Sequence, residues 1–362
     1  MAIEPFLGTA AQKGFIATII VQAIGVLTMV AISFGIVDEY VSLSQGDYRT
    51  IPCYFALFAL GELFEIAIAL DALRLRNIIQ LIGVCFFHAG MIVFSALQVH
   101  QTRTALVKMP DADCAIYYAN CSGPGSLFNR VEPFLIVSPA LLALSLLVLV
   151  WFTWQLYHEF GWVVFHIVGA NPRMKVMYQY YQVLICLLKF DYFFFTALTM
   201  QLLILVLSRD GAEFPLTIVA IPVSLILLTF CAVAVQREIK WLMTISLVLM
   251  LGAQAYFLYK FSRLFTPGSR EAYATTRASL AVFTIVSFLM LFATFAVGLR
   301  CFADFDKDLR PAKTRASKLN PEPRPVSKYS VNEAPLPGKP DMAQRYSSYG
   351  GGVPLAPRMS IE

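Results

Sequence analysis

Eight stretches of this chain are long and apolar enough to cross a bilayer as helices, and no other feature narrows the possible folds as much. They cover about 14–37, 51–73, 77–99, 133–157, 183–207, 215–236, 240–261 and 279–301. A helix rises about 1.5 Å per residue, so about 20 apolar residues cross a hydrocarbon core of about 30 Å. In lipid the backbone must satisfy its own hydrogen bonds, and these runs lack the period-two alternation of a membrane barrel. The fold class is therefore all-α, a polytopic transmembrane helix bundle. The expected number of spans is eight, or seven if two closely spaced runs, such as those joined by Leu75 and Arg76, are misread.

Composition agrees with that class. Hydrophobic residues make up 58% of the chain and charged ones 14%, against roughly 25% charged in soluble domains. The first run starts too late and is too long for a cleaved signal peptide, so it is expected to remain as a span.

Lysines and arginines in short loops set the orientation. Arg74, Arg76, Arg173, Lys175, Arg237 and Lys240 fall in alternate loops, which read as cytoplasmic with both termini. Arg263, Arg270 and Arg277 in the seventh-to-eighth loop run against that assignment. Residues 1–302 form the membrane domain, with a lumenal loop at 100–132. In that loop Cys114 and Cys121 are a candidate disulfide in an oxidising lumen, or two free thiols. Asn120-Cys121-Ser122 matches the glycosylation sequon. Asn171-Pro172 reads as an N-cap followed by a proline at the first helical position, so the fifth helix is expected to start near 172. Phe160 to Val168 is too short to span and reads as an interfacial segment or the frayed end of the fourth helix.

Residues 303–362 are proline-rich and charged, the composition of a disordered cytoplasmic tail. Lys307, Arg310, Lys313, Arg315 and Lys318 make a basic stripe at 307–318 that anionic lipids would attract, unless it serves only to fix topology. Pro337-Gly338-Lys339-Pro340 and Pro354-Leu355-Ala356-Pro357 are candidate ligands for proline-reading domains. Cys301, at the end of the last run, is a palmitoylation candidate by position.

The unusual residues lie inside the spans. LLKFDYFFF at 187–195 places Lys189 and Asp191 two apart in an apolar helix, on nearly opposite faces, so each needs a partner on another helix. Helical rise puts Lys189 roughly 10 Å and Asp191 roughly 13 Å from the cytoplasmic boundary, with Asp71 at roughly 5 Å, Glu65 at roughly 13 Å, His88 at roughly 16 Å and Glu62 at roughly 18 Å. Depth matching pairs Lys189 with Glu65, and with Glu62 as a further partner. It pairs Asp191 with His88, a tyrosine or a backbone donor, and the interfacial Asp71 with Arg74. Ionisable groups in spans usually face the bundle interior and mark function. The competing structural reading is that Lys189 snorkels and the buried pair fixes helix register.

No metalloprotease helix, nucleophile elbow or phosphate-binding glycine loop is present, so no enzyme activity is expected. Cys85 and His88 lack two further ligands, and no metal or cofactor is expected. The expected partner is the lipid bilayer, with no nucleic acid, and the oligomeric state stays open.

DALRLRNIIQLIG at 71–83 and YYQVLICLLKFDYFFF at 180–195 resemble an uncharacterised fungal family of Golgi apparatus membrane proteins. The resemblance covers roughly residues 10–302. It implies a polytopic protein of fungal endomembranes and brings no catalytic residues with it. Two function classes follow: a proton- or cation-coupled transporter using Glu62, Glu65, His88, Lys189 and Asp191, or a receptor or trafficking scaffold acting through its tail.

Overall fold

The structure, a computed structural model, describes residues 7–40, 50–108, 125–168, 172–206, 213–265 and 277–305. Among the described residues there are eight α-helices and no strand: α1 Ala10–Tyr40, α2 Thr50–Arg74, α3 Ile78–Arg103, α4 Leu127–Val168, α5 Pro172–Gln201, α6 Glu213–Arg237, α7 Lys240–Leu264 and α8 Arg277–Ala303. Each of the eight apolar runs is thus a separate helix. Seven are long and apolar enough to cross a membrane. The eighth, α6, has 25 residues, of which Pro222–Arg237 qualifies as an apolar helix too short for that length. α4 continues unbroken through Phe160 to Val168, and α5 starts at Pro172.

The outer surface of the bundle carries many large apolar side chains. Phe86 is 74% exposed, Leu147 70% and Val21 68%, an arrangement that only a lipid surround makes favourable over so many side chains. The buried stripes follow helical spacing. On α1 they run Phe15, Ile19, Gln22, Val26 and Val30, and on α3 Leu81, Val84, His88, Met91 and Ser95. Gln22 and His88 therefore sit where the apolar period would put a leucine, and the same periodicity that packs each helix carries them inward.

Two turns are built alike. After α2 the chain enters the left-handed region at Arg76 (φ 48°), and Asn77 N–H donates to the Ala72 carbonyl while Arg76 N–H donates to that of Leu73. These are the two bonds of a Schellman motif, here closed by an arginine where glycine is usual. Asn77 then caps α3, its side chain accepting from the N–H groups of Ile79 and Gln80. After α6, Glu238 (φ 56°) takes the same conformation and Ile239 N–H donates to Ala234.

Packing divides the bundle into two sets of four. In the first, α4 lies along α1 and α3, and α2 packs on α1 and α3; in the second, α8 lies along α5 and α7, and α6 packs on α5 and α7. α1 and α4 approach closely because Gly25 faces Leu141, whose Cδ2 would lie only 2.5 Å from a β-carbon there. Between the sets α5 meets α2 and α3 over a smaller area. A further close approach occurs there, since a β-carbon on Gly83 of α3 would lie 2.8 Å from the Phe190 ring of α5.

Candidate functional site

Glu62 and Glu65 are one turn apart on α2 and both are fully buried. The Gln22 side-chain amide donates to Glu62 Oε2 at 2.7 Å, and Glu65 Oε1 lies 2.7 Å from His88 Nδ1. The other ring nitrogen of His88, Nε2, faces the Leu142 carbonyl oxygen at 3.0 Å and Ser145 Oγ at 2.9 Å. A carbonyl can only accept, so Nε2 carries hydrogen in this arrangement. Nδ1 and Glu65 then share one hydrogen between them, as carboxylate with imidazolium or carboxylic acid with imidazole. Glu62 is within electrostatic reach of both Glu65 and His88. Three oxygens here, Gln22 Oε1, Glu62 Oε1 and Glu65 Oε2, are buried with no hydrogen-bond partner.

Lys189 does not join this centre. Its Nζ donates to Asp71 Oδ2 at 2.5 Å and to Gln80 Oε1 at 2.9 Å, and the Gln80 amide nitrogen donates to the same Asp71 oxygen at 2.8 Å. The expected pairing of Lys189 with Glu65 is therefore corrected, and so is that of Asp71 with Arg74. Backbone depth misled the first expectation: side chains on a helix lean toward its N-terminus, and lysine reaches about 6 Å back along it. A residue with its Cα at roughly 10 Å thus brings its charge to the depth of Asp71. Arg74 is exposed on the last turn of α2, leaving the carboxylate to the lysine. The side chains of Lys189 and Asp71 are 29% and 40% exposed, so this pair sits at the rim of the bundle.

Asp191 is 1% exposed and meets neither His88, a tyrosine nor a backbone donor. Its partner is Thr294 of α8, whose Oγ lies 2.6 Å from Asp191 Oδ2 and 3.0 Å from the Met290 carbonyl. A hydroxyl has one hydrogen for these two acceptors. Either it goes to the carboxylate, or Asp191 carries a proton and donates to the hydroxyl. The second oxygen, Oδ1, is buried without a partner. Packed aromatic rings fill the space where α5 meets α2 and α3: Phe193 lies 5.0 Å from Phe64 and 4.8 Å from Phe87, and Phe190 lies 5.7 Å from Phe64.

The five intramembrane residues thus fall into three places. Glu62, Glu65 and His88 share the first set of four helices, Asp191 lies in the second, and Lys189 bridges the two. Gln22 and Gln80 show in the sequence as polar residues inside spans. Thr294 and Ser145 carried no such signal, because threonine and serine in apolar helices ordinarily bond the carbonyl three or four residues back. At the end of the first set that also carries the α2–α3 turn, Glu159 of α4 accepts from Thr9 at 3.0 Å and from Gln12 at 2.5 Å, which ties the start of α1 to α4.

Cys301 is 6% exposed in a pocket lined by Met177, Tyr181 and Val235, so acylation would need that packing to open. Among the described residues no three of His, Cys, Asp and Glu come together as a metal site. Asn120, Cys114, Cys121, the 307–318 stripe and the proline motifs lie outside the described residues.

No protein-family model matches the chain, and no solved structure matches it. It is 26% identical over 328 residues to a UPF0658 Golgi apparatus membrane protein of Schizosaccharomyces pombe, a match that takes in 82% of this chain and 91% of that protein. The resemblance carried by residues 71–83 and 180–195 thus extends over most of both chains. With seven helices long and apolar enough to span, the chain is a multi-pass Golgi membrane protein.

Proposed function

We propose that this protein couples transport across its membrane to a proton or another monovalent cation, with Glu62, Glu65 and His88 as the carrier site. One observation carries the reading. Lys189 is engaged by Asp71, which leaves two buried carboxylates facing a single imidazole. Such a centre is one positive charge short when both acids are ionised, and isolated charge is too costly to hold in a low-dielectric interior. A bound proton or small cation supplies the missing charge, and the partnerless oxygens of Glu62 and Glu65 are where it would sit.

The arrangement suits uptake and release. Two acids one turn apart cannot both hold full charge at low cost, so a proton taken by one is easily passed to the other or to His88. Ser145 and the Leu142 carbonyl fix the far side of the ring, which keeps Nδ1 aimed at Glu65.

Reconstitution into vesicles with a trapped pH-sensitive dye, and in parallel with a sodium-sensitive one, tests this. An imposed potential should drive proton movement with the wild type and not with Glu65→Gln, at equal folded yield. Folded wild-type protein that moves neither protons nor sodium would sink the reading. Deleting 303–362 should leave the flux intact, since none of the three residues lies there.

A further inference from the structure

The two sets of four helices share more than their number. In each, the first helix packs most extensively on the fourth, the third comes next against the fourth, and the second makes smaller contacts with the first and third. Each also places a charged residue in the left-handed conformation in the short turn between its second and third helices, Arg76 in one and Glu238 in the other. Four is an even number, so both sets start at the same face of the membrane. Such an order of packing, entered from the same face, is what parallel repeats would show, and parallel repeats are a known basis for rocking of one half against the other.

The seam between them has the features of a movable joint. Contact across it is sparse compared with that inside either set, and α5 supplies most of it. Its deep part is a cluster of phenylalanine rings, mostly tilted or edge to face, with no hydrogen bond among them, and small sliding of packed helices is one of the known modes of conformational change. Its rim, at the end that carries the α2–α3 turn, is fastened by the Lys189, Asp71 and Gln80 clasp. Asp71 lies roughly 5 Å from the membrane boundary and the side chains of the pair are 29% and 40% exposed, which puts the pair close to the headgroups. A pair at that level is easier to break than one fully desolvated deep in the bundle.

We propose that Asp71, Gln80 and Lys189 are a gate, closed in this structure, whose opening parts the two halves at that face. The proposal rests on the packing of the halves and not on proton carriage. If the carrier reading also holds, the gate controls access to the carrier site from that side.

The chain provides its own reporter. Cys186 is on α5, one turn before Lys189, 5% exposed, and faces Gly83 across the seam. It lies within electrostatic reach of both Lys189 and Asp71. In a protein keeping Cys186 as its sole cysteine, reconstituted in vesicles, the rate of labelling by a membrane-impermeant maleimide reads opening of the seam. Lys189→Gln should raise that rate about fivefold, the effect of losing a partly exposed ion pair. A nearby positive charge favours the reactive thiolate, so its removal alone would slow labelling, and an increase reports access. The exchanged pair Asp71→Lys with Lys189→Asp should return the rate toward wild type. Gln80→Leu, which leaves the ion pair in place, should give a smaller increase and serves if Lys189→Gln folds poorly. Unchanged labelling in Lys189→Gln and Gln80→Leu, or an exchanged pair that labels as fast as the single variant, overturns the gate. Labelling needs no flux, so a protein that opens but carries nothing refutes the carrier reading alone.

Discussion

Replacing Glu65 and His88 with leucine, singly and together, tests how the buried centre is held. Both residues are fully buried and 2.7 Å apart, so no solvent screening reduces their interaction. Removing one partner of a buried, charged pair costs about 3–5 kcal/mol because the other is left uncompensated. A neutral hydrogen bond inside a membrane protein contributes far less, about 0.6 kcal/mol on average. The charged arrangement of carboxylate and imidazolium predicts the larger figure, and the neutral one the smaller. With the charged pair, His88→Leu should destabilise by about 4 kcal/mol. Glu65→Leu should cost less, about 3 kcal/mol, since Glu62 remains near the imidazole to offset its charge. The double variant removes both charges and fills most of the volume, so it should return to within about 1 kcal/mol of the wild type. Unfolding in detergent, followed by the emission of the chain's four tryptophans, gives the three values. Single losses below about 1 kcal/mol, or a double loss equal to the sum of the singles, would refute the reasoning. The rescued double variant should carry no protons, which separates stability from the proposed activity.

Further predictions address packing and turns. Gly83→Ala should destabilise by about 1–3 kcal/mol, because its methyl would strike the Phe190 ring and the Cys186 sulfur. Gly90→Ala, with nothing within 4 Å, should be neutral or stabilise by up to about 1 kcal/mol; equal shifts in unfolding midpoint would contradict the close approach of α3 and α5. Arg76→Gly should be about 1 kcal/mol more stable than Arg76→Ala, because only glycine escapes the strain of the left-handed region. Equal thermal midpoints for the two variants would count against that conformation. Thr294→Val should cost about 1–3 kcal/mol by leaving both Asp191 oxygens without a hydrogen-bond partner, while Thr294→Ser should lose little. If valine and serine behave alike, the hydroxyl is not what holds Asp191.

The sequence by itself determined the class of fold and most helix positions. Eight apolar runs became eight helices because an apolar backbone in lipid has no other way to satisfy its hydrogen bonds. The charges at 74, 76, 237 and 240 marked two tight turns, and Pro172 marked the start of α5. Helical spacing also separated Lys189 from Asp191. The partners of these residues were another matter. Depth along a helix is a one-dimensional quantity, whereas pairing depends on side-chain reach and on which helices are neighbours. Lys189 leaned back to Asp71, Glu65 was left to His88, and Asp191 found a threonine that no pattern in the sequence distinguishes. The division into two similarly packed sets of four was hidden for a related reason. Helix packing in a membrane is specified by scattered small residues and shape, not by a strong repeating pattern, so two halves can share an arrangement while their sequences show no repeat. Only the tertiary structure decided which charges meet, and so which of them form a buried centre and which a clasp at the rim.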